Sequence, residues 1–196
     1  CAGHTMILVF TNNRWRVIGE TLDITLGQLL DQFGRHVGFS SPCGAEIERL
    51  AHISSKNYVV LPYSIKGNDV TFSGILSAAK RLISTSKFTV EDICYSIQET
   101  AFAMITEAVE RALSATEKKE LLLVGGVSAN KQLSHMLNLA CQRHKVKFSS
   151  CPVSFAGDNG AQIAWTGILS YLKSKNSIVI SDSFVNQSWR IECVDV

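Results

Sequence analysis

The run Leu121-Leu122-Leu123-Val124-Gly125-Gly126-Val127-Ser128-Ala129-Asn130 sets four aliphatic residues directly before a glycine pair and a polar helix start. A short apolar run bounded by glycine suits a strand covered on both faces, as in a parallel sheet. Helical spacing follows from about residue 129 to 144, so the segment predicts a strand, a glycine turn and a helix. Residues 146–149 supply a second strand and 159–172 a further helix. Upstream, residues 89–115 predict the longest helix. Ile93, Ile97, Phe102, Ile105, Val109 and Leu113 form its stripe, Thr89 its cap, and Glu91 and Asp92 lie in the first turn where the dipole favours anions. Residues 5–11 and 14–20 flank Asn12-Asn13, which tolerate positive φ, and predict a hairpin. A helix opening at Asp23 carries Ile24, Leu26, Leu29, Leu30 and Phe33 and ends in the 34–38 region; a shorter one covers 45–53. Residues 61–67 look irregular, and Val70, Phe72 and Ser73-Gly74 read as a strand end or loop. The class is α/β.

The chain has 196 residues, 46% hydrophobic and 18% charged, which excludes a disordered or low-complexity chain. At this length roughly 70% of the unfolded surface can be buried. The net charge of +2 does not announce a nucleic-acid or membrane protein, so RNA contacts at Lys80-Arg81, Lys118-Lys119 or Arg143 to Lys147 are expected to be local. No run approaches the roughly 20 apolar residues of a membrane span. Six cysteines without a C-x-x-C pair read as reduced thiols in a cytoplasmic compartment. Trp15, Trp165 and Trp189 read as packing anchors. A sequence opening on Cys1 without a leader reads as a fragment.

Three groups carry chemistry. Backbone N–H groups at Gly125 and Gly126 can face a phosphate or sugar, with the Asn130 amide near the helix start; a tight β-to-α turn is the competing reading. Asp158, in Gly157-Asp158-Asn159-Gly160-Ala161, is either a helix cap or a metal ligand needing partners from elsewhere, since the five histidines include no H-x-x-x-H pair. Asp23, Gly27 and Asp31 fall on one helical face at i, i+4 and i+8, and Gly44 with Glu48 repeats the acid-plus-glycine pattern. Such faces suit a sugar diol; solvated acids, with Asp31 paired to Arg35, are the competing reading.

Several motifs then occur in order: Cys1-Ala2-Gly3-His4-Thr5, Gly19-Glu20-Thr21-Leu22-Asp23, Asp31, Pro42-Cys43-Gly44 with Glu48, and the run from Leu61-Pro62-Tyr63-Ser64 to Phe72-Ser73-Gly74. Ser96-Ile97-Gln98-Glu99-Thr100, the 124–130 turn and Asp158-Asn159-Gly160-Ala161 complete the series. It resembles the universal tRNA threonylcarbamoyladenosine transferase family (TsaD), in particular the archaeal and eukaryotic catalytic subunit of the KEOPS complex. The resemblance implies an actin-like ATPase (ASKHA) fold. Residues 1–176 would be its second, RNase H-like lobe with a mixed sheet and flanking helices, 177–196 a docking tail, and the first lobe would be absent. It implies transfer of threonylcarbamoyl from its adenylate to the tRNA adenosine next to the anticodon. By motif, Gly3 would lie in the glycine turn near the acyl-phosphate, Asp31 and Glu48 at the ribose with Gly44 in the adjacent loop, Asn130 at the nucleoside, and Asp158 at the metal as catalytic ligand; Gly125 and Gly126 are expected to be nucleotide-binding.

The cofactors implied are one divalent metal ion, iron above zinc or magnesium, and ATP or the threonylcarbamoyl-adenylate. The partners implied are tRNA, the first lobe and a KEOPS-type small kinase with accessory subunits, in the cytoplasm and without a membrane. Where the family has Ser-Gly-Gly this chain has Cys1-Ala2-Gly3, and the family's metal histidines belong to the first lobe, so the lobe alone is expected to be inactive. The alternative is a noncatalytic scaffold lobe that binds the kinase partner.

Overall fold

The computed structural model describes residues 4–157 and 159–194. The chain folds as α/β, with helices around a shared apolar core. Strands β1 (Met6–Thr11) and β2 (Arg14–Glu20) pair antiparallel, with Thr11 opposite Arg14. Asn12 and Asn13 both take positive φ, 50° and 56°, which suits the two-residue hairpin turn. Phe10 and Trp15 lie opposite each other with ring centroids 5.2 Å apart.

Helix α1 (Leu26–His36) starts later than the apolar spacing predicts. Thr25 caps it in a reciprocal box: its hydroxyl accepts from the Gln28 N–H at 3.1 Å, and the Gln28 side chain accepts from the Thr25 N–H at 3.0 Å. Asp23 therefore lies outside α1, and the proposed single face of Asp23, Gly27 and Asp31 does not form. Asp23 instead accepts from the N–H groups of Phe72 (2.8 Å) and Ser73 (3.0 Å) and from the Ser73 hydroxyl. Those bonds start α3 (Ser73–Thr85), a helix where the sequence reading has a strand end or loop. Helix α2 (Gly44–Ile53) and the 27-residue α4 (Val90–Thr116) match their predicted positions, with Thr89 capping α4. All six residues of the predicted α4 stripe are buried.

Short strands β3 (Ile65–Lys66) and β4 (Asp69–Val70) pair antiparallel. Strand β5 (Glu120–Leu123), helix α5 (Lys131–Arg143) and strand β6 (Lys147–Ser150) follow, and β5 pairs parallel with β6. The expected mixed sheet is not formed among the described residues: the strands lie in three separate two-stranded ladders. Nor is β5 covered on both faces, since Leu122 is 62% exposed. Among the described residues it has a neighbour on one edge only. Helix α6 (Gly160–Ser174) and the described part of the tail have no buried residue, so Trp165 and Trp189, 60% and 67% exposed, are not packing anchors among the described residues. The tail meets the hairpin near its end, where the Glu192 carboxylate accepts from the Val17 N–H and Arg190 pairs with Glu20. No described helix is long and apolar enough to cross a membrane.

Cys43, Cys94 and Cys141 are buried, and burial pushes the Cys94 thiol up to about 12. Asp92 is buried as well, accepting from the hydroxyls of Ser54 (2.6 Å) and Ser55 (2.9 Å), which ties the end of α2 to the start of α4. The Ser54 bond holds its carboxyl below the usual range despite burial. A depressed folded-state value means stability that is present above the ordinary carboxylate range, about pH 4, and lost as pH falls through the lower folded value. Asp92→Asn is therefore expected to be less stable than the parent at pH 7, with the gap narrowing by about pH 3 in urea melts. A gap independent of pH would remove Asp92 from the acid response.

Candidate functional site

The site begins where α1 supports the start of α2. Asp31 is half-buried; its Oδ1 accepts from the Cys43 N–H and its Oδ2 from the Ser41 hydroxyl, both at 2.7 Å. Cys43, the N-terminal cap residue of α2, makes no side-chain cap bond of its own, so a carboxylate from another helix serves there, where the dipole favours negative charge. Burial and the Asp31 charge push the Cys43 thiol up. Asp31 thus faces the α2 loop rather than Arg35.

Gly44 opens α2, and one turn later Glu48 reaches across to the start of α5, its Oε1 accepting from the Lys131 N–H at 2.8 Å. Beside it, the Asn130 Oδ1 accepts from the N–H groups of Gln132 (3.0 Å) and Leu133 (3.1 Å), while its Nδ2 donates to the buried Gln98 Oε1 at 2.6 Å. Gly125 takes φ +93°, the left-handed region that favours glycine. Gly126 opens a 3-10 turn (Gly126–Ala129) against which α1 packs. Asp31, Gly44, Glu48 and the 125–130 turn are therefore one connected group around the starts of α2 and α5.

Gly44 and Gly126 share a second property. Neither has a positive φ, and a Cβ built on either meets nothing within 4 Å. Internal packing does not demand glycine there, and the space above both is open to a ligand. The chemistry is two-sided, since N–H groups at a glycine turn donate to phosphate while carboxylates accept from hydroxyls. Each carboxylate oxygen accepts up to two bonds, so the caps leave Asp31 and Glu48 with acceptor capacity.

Gly3 and Asp158, two of the expected site residues, lie outside the described residues. Asn159, the neighbour of Asp158, is the side-chain cap of α6, accepting from the Gln162 N–H. Among the described residues no three His, Cys, Asp or Glu side chains converge on a metal position. Sequence reasoning missed Ser41 and gave Gln98 no role of its own. Gln98 had a signal, a polar residue within the apolar α4 stripe; Ser41 had none, because its bond to Asp31 is made by the tertiary fold.

Comparison with known proteins decides the family. The family described as TsaD, tRNA N6-adenosine threonylcarbamoyltransferase, matches residues 1–165. The chain belongs to this family. It is 47% identical over 193 residues to a tRNA N6-adenosine threonylcarbamoyltransferase of Methanocella arvoryzae, covering 98% of this chain and 58% of that protein. A transferase of the same name from Archaeoglobus fulgidus is 47% identical over 99% of this chain and 59% of its own length. A probable bifunctional tRNA threonylcarbamoyladenosine biosynthesis protein of Methanothermobacter thermautotrophicus is 48% identical over 99% of this chain and 36% of its own length. The chain thus spans roughly a third to three-fifths of these TsaD relatives. Among solved structures, HypF of T. kodakarensis aligns with TM-score 0.59 over 76% of this chain and 20% of its own, at 18% identity, a likeness of fold alone.

Proposed function

We propose that this chain is the nucleotide-holding lobe of a tRNA N6-adenosine threonylcarbamoyltransferase, and that it acts only together with the rest of the longer protein. The observation that carries the reading is the connected group from Asp31 through Gly44 and Glu48 to the 125–130 turn, open above both glycines, in a chain of the TsaD family. On this reading Asp31 and Glu48 accept from ribose hydroxyls, Gly125 and Gly126 approach phosphate, and Gly3 continues the phosphate turn. Asn130, whose amide is bonded to Gln98 and to the first turn of α5, positions the turn beneath the nucleoside. ATP or the threonylcarbamoyl-adenylate is the nucleotide, and the lobe belongs to the actin-like ATPase fold.

A divalent metal, iron by resemblance, would be held by Asp158 with ligands from outside this lobe and would supply charge stabilisation in acyl transfer. The other partners proposed are tRNA, a KEOPS-type kinase and accessory subunits, in the cytoplasm. The word "bifunctional" in the name of the Methanothermobacter relative is consistent with a second catalytic module working beside this one.

The test uses the complete protein. Asp31→Asn and Glu48→Gln each keep a carbonyl acceptor for the helix N–H they cap, so the fold is expected to hold. Loss of a charged hydrogen bond to a hydroxyl is worth about 1.5–3 kcal/mol, so adenylate affinity should fall by roughly ten- to a hundredfold. A 2′,3′-dideoxy ligand should bind parent and variants alike. Equal weakening for both ligands would show that the acids act through the fold. Gly44→Ala and Gly126→Ala complete the test: thermal stability is expected to be unchanged or slightly raised, with nucleotide affinity reduced. Unchanged affinity in both variants would move the ligand elsewhere.

A further inference from the structure

Residues 96–100 of α4 include four polar side chains, Ser96, Gln98, Glu99 and Thr100. Three are accounted for by the fold. The Ser96 hydroxyl accepts from the Val59 N–H at 2.8 Å and donates to the Asp92 carbonyl, Thr100 is bonded to the Tyr58 hydroxyl at 2.9 Å, and Glu99 accepts from the Gln132 side chain at 2.8 Å. Gln98 differs. It is 4% exposed and its Oε1 accepts from the Asn130 Nδ2, but among the described residues its Nε2 has no protein partner.

The free end of that amide is fixed by its neighbours. The N–H groups of Gln132 and Leu133 can only donate, so the Asn130 oxygen faces them and its Nδ2 faces Gln98. An amide NH2 also only donates, so Gln98 meets it with oxygen and turns its own Nε2 away. Among the described residues no side-chain nitrogen or oxygen sealed from solvent lacks a partner, so the Nε2 reaches open space through the small part of Gln98 that stays accessible. It does so beside the glycine turn. Asn130 closes the 3-10 turn that Gly126 opens, its N–H donating to the Val127 carbonyl at 3.1 Å, and the space above Gly126 is open. A donor of a buried side chain left without an acceptor is costly and rare in folded proteins.

We infer that Gln98 reads the base of the bound nucleotide, its Nε2 donating to a ring nitrogen of adenine. The inference rests on the nucleotide reading above, and within that reading the chemistry leaves the base as the partner. Phosphate takes the glycine N–H groups and the ribose hydroxyls take the carboxylates of Asp31 and Glu48. The ring nitrogens of adenine are bare acceptors, which suit a neutral amide donor. Asn130 then serves the nucleoside by holding the Gln98 amide in the one orientation that offers a donor.

The experiment compares the binding of ATP and its 1-deaza, 3-deaza and 7-deaza analogues, each with one ring nitrogen replaced by C–H, to the complete protein by calorimetry. At least one analogue is expected to bind roughly tenfold more weakly than ATP, because it leaves the Nε2 unpaired. In Gln98→Met, ATP is expected to weaken by a similar factor, and ATP and that analogue to bind alike. This cycle between a side chain and a ligand atom separates contact from support. A Gln98 that only held Asn130 in place would, when replaced by methionine, weaken every ligand equally and leave the discrimination among them intact, which overturns the proposal. So do three analogues that all bind the parent as ATP does, a result that needs no variant to fold. Failure of the nucleotide reading looks different, since ATP is then not bound or is bound without dependence on Asp31 and Glu48. ATP held through those two residues, with indifference to all three ring nitrogens, overturns the role of Gln98 alone.

Discussion

Asn130→Ala is expected to destabilise the chain by about 2–4 kcal/mol. Loss of a helix cap costs about 1 kcal/mol, and the Asn130 Oδ1 serves two N–H groups of α5. The larger part comes from Gln98, whose buried Oε1 receives the Asn130 Nδ2 at 2.6 Å. Leaving a buried acceptor unpaired costs roughly 1–3 kcal/mol. Asn130→Ser keeps a capping oxygen but cannot reach Gln98, and should lose about half as much. Adding Gln98→Leu to the alanine variant removes the orphaned acceptor and should restore part of the loss. Urea denaturation with constant slope measures all three. A loss under about 0.5 kcal/mol for the alanine variant would mean that the Asn130–Gln98 bond contributes nothing.

Gly34→Ala is the second large effect, although alanine is the better helix former by about 1 kcal/mol. Gly34 sits buried on the face of α1 that meets α2, and a Cβ there would lie 2.3 Å from the Cys43 Cβ and 2.6 Å from its Sγ. Overpacking of this kind costs about 1–3 kcal/mol, and at such distances the upper end applies, for a net loss of about 2 kcal/mol. The two helices must separate at the point where Asp31 accepts from the Cys43 N–H; in the complete protein nucleotide affinity should fall with stability. Cys43→Ala does not relieve the clash, because alanine keeps the Cβ. Cys43→Gly does, and the pair Gly34→Ala with Cys43→Gly should recover most of the difference in a double-mutant cycle. Additive losses in that cycle would show that the α1–α2 approach is not what limits position 34.

What was legible in the sequence was what local chemistry fixes. Asn12-Asn13 closes the hairpin, Thr89 starts α4, and Gly125 turns β5 into α5, each through bonds within a few residues. Helix α3 was hidden because its start is made by Asp23, 50 residues upstream; the same bonds withdrew Asp23 from the acidic face to which spacing had assigned it. Of the proposed site, Asp31, Gly44, Glu48 and the 125–130 turn were named from spacing and resemblance. That Asp31 and Glu48 also hold the starts of α2 and α5 was not legible, since Cys43 and Lys131 are 12 and 83 residues away in sequence. The reading of β5 as a covered strand is overturned among the described residues, where Leu122 is 62% exposed and the strand pairs only with β6.

Helix α6 bears on how long such a chain would survive in a cell. Ile163, Trp165, Ile168, Leu169, Tyr171 and Leu172 are all exposed, and nothing on the helix is buried. Exposed aliphatic and aromatic side chains are what chaperones retain and proteases cut, so abundance follows the fraction of time they stay uncovered. The chain would be cleared quickly wherever nothing lies against α6.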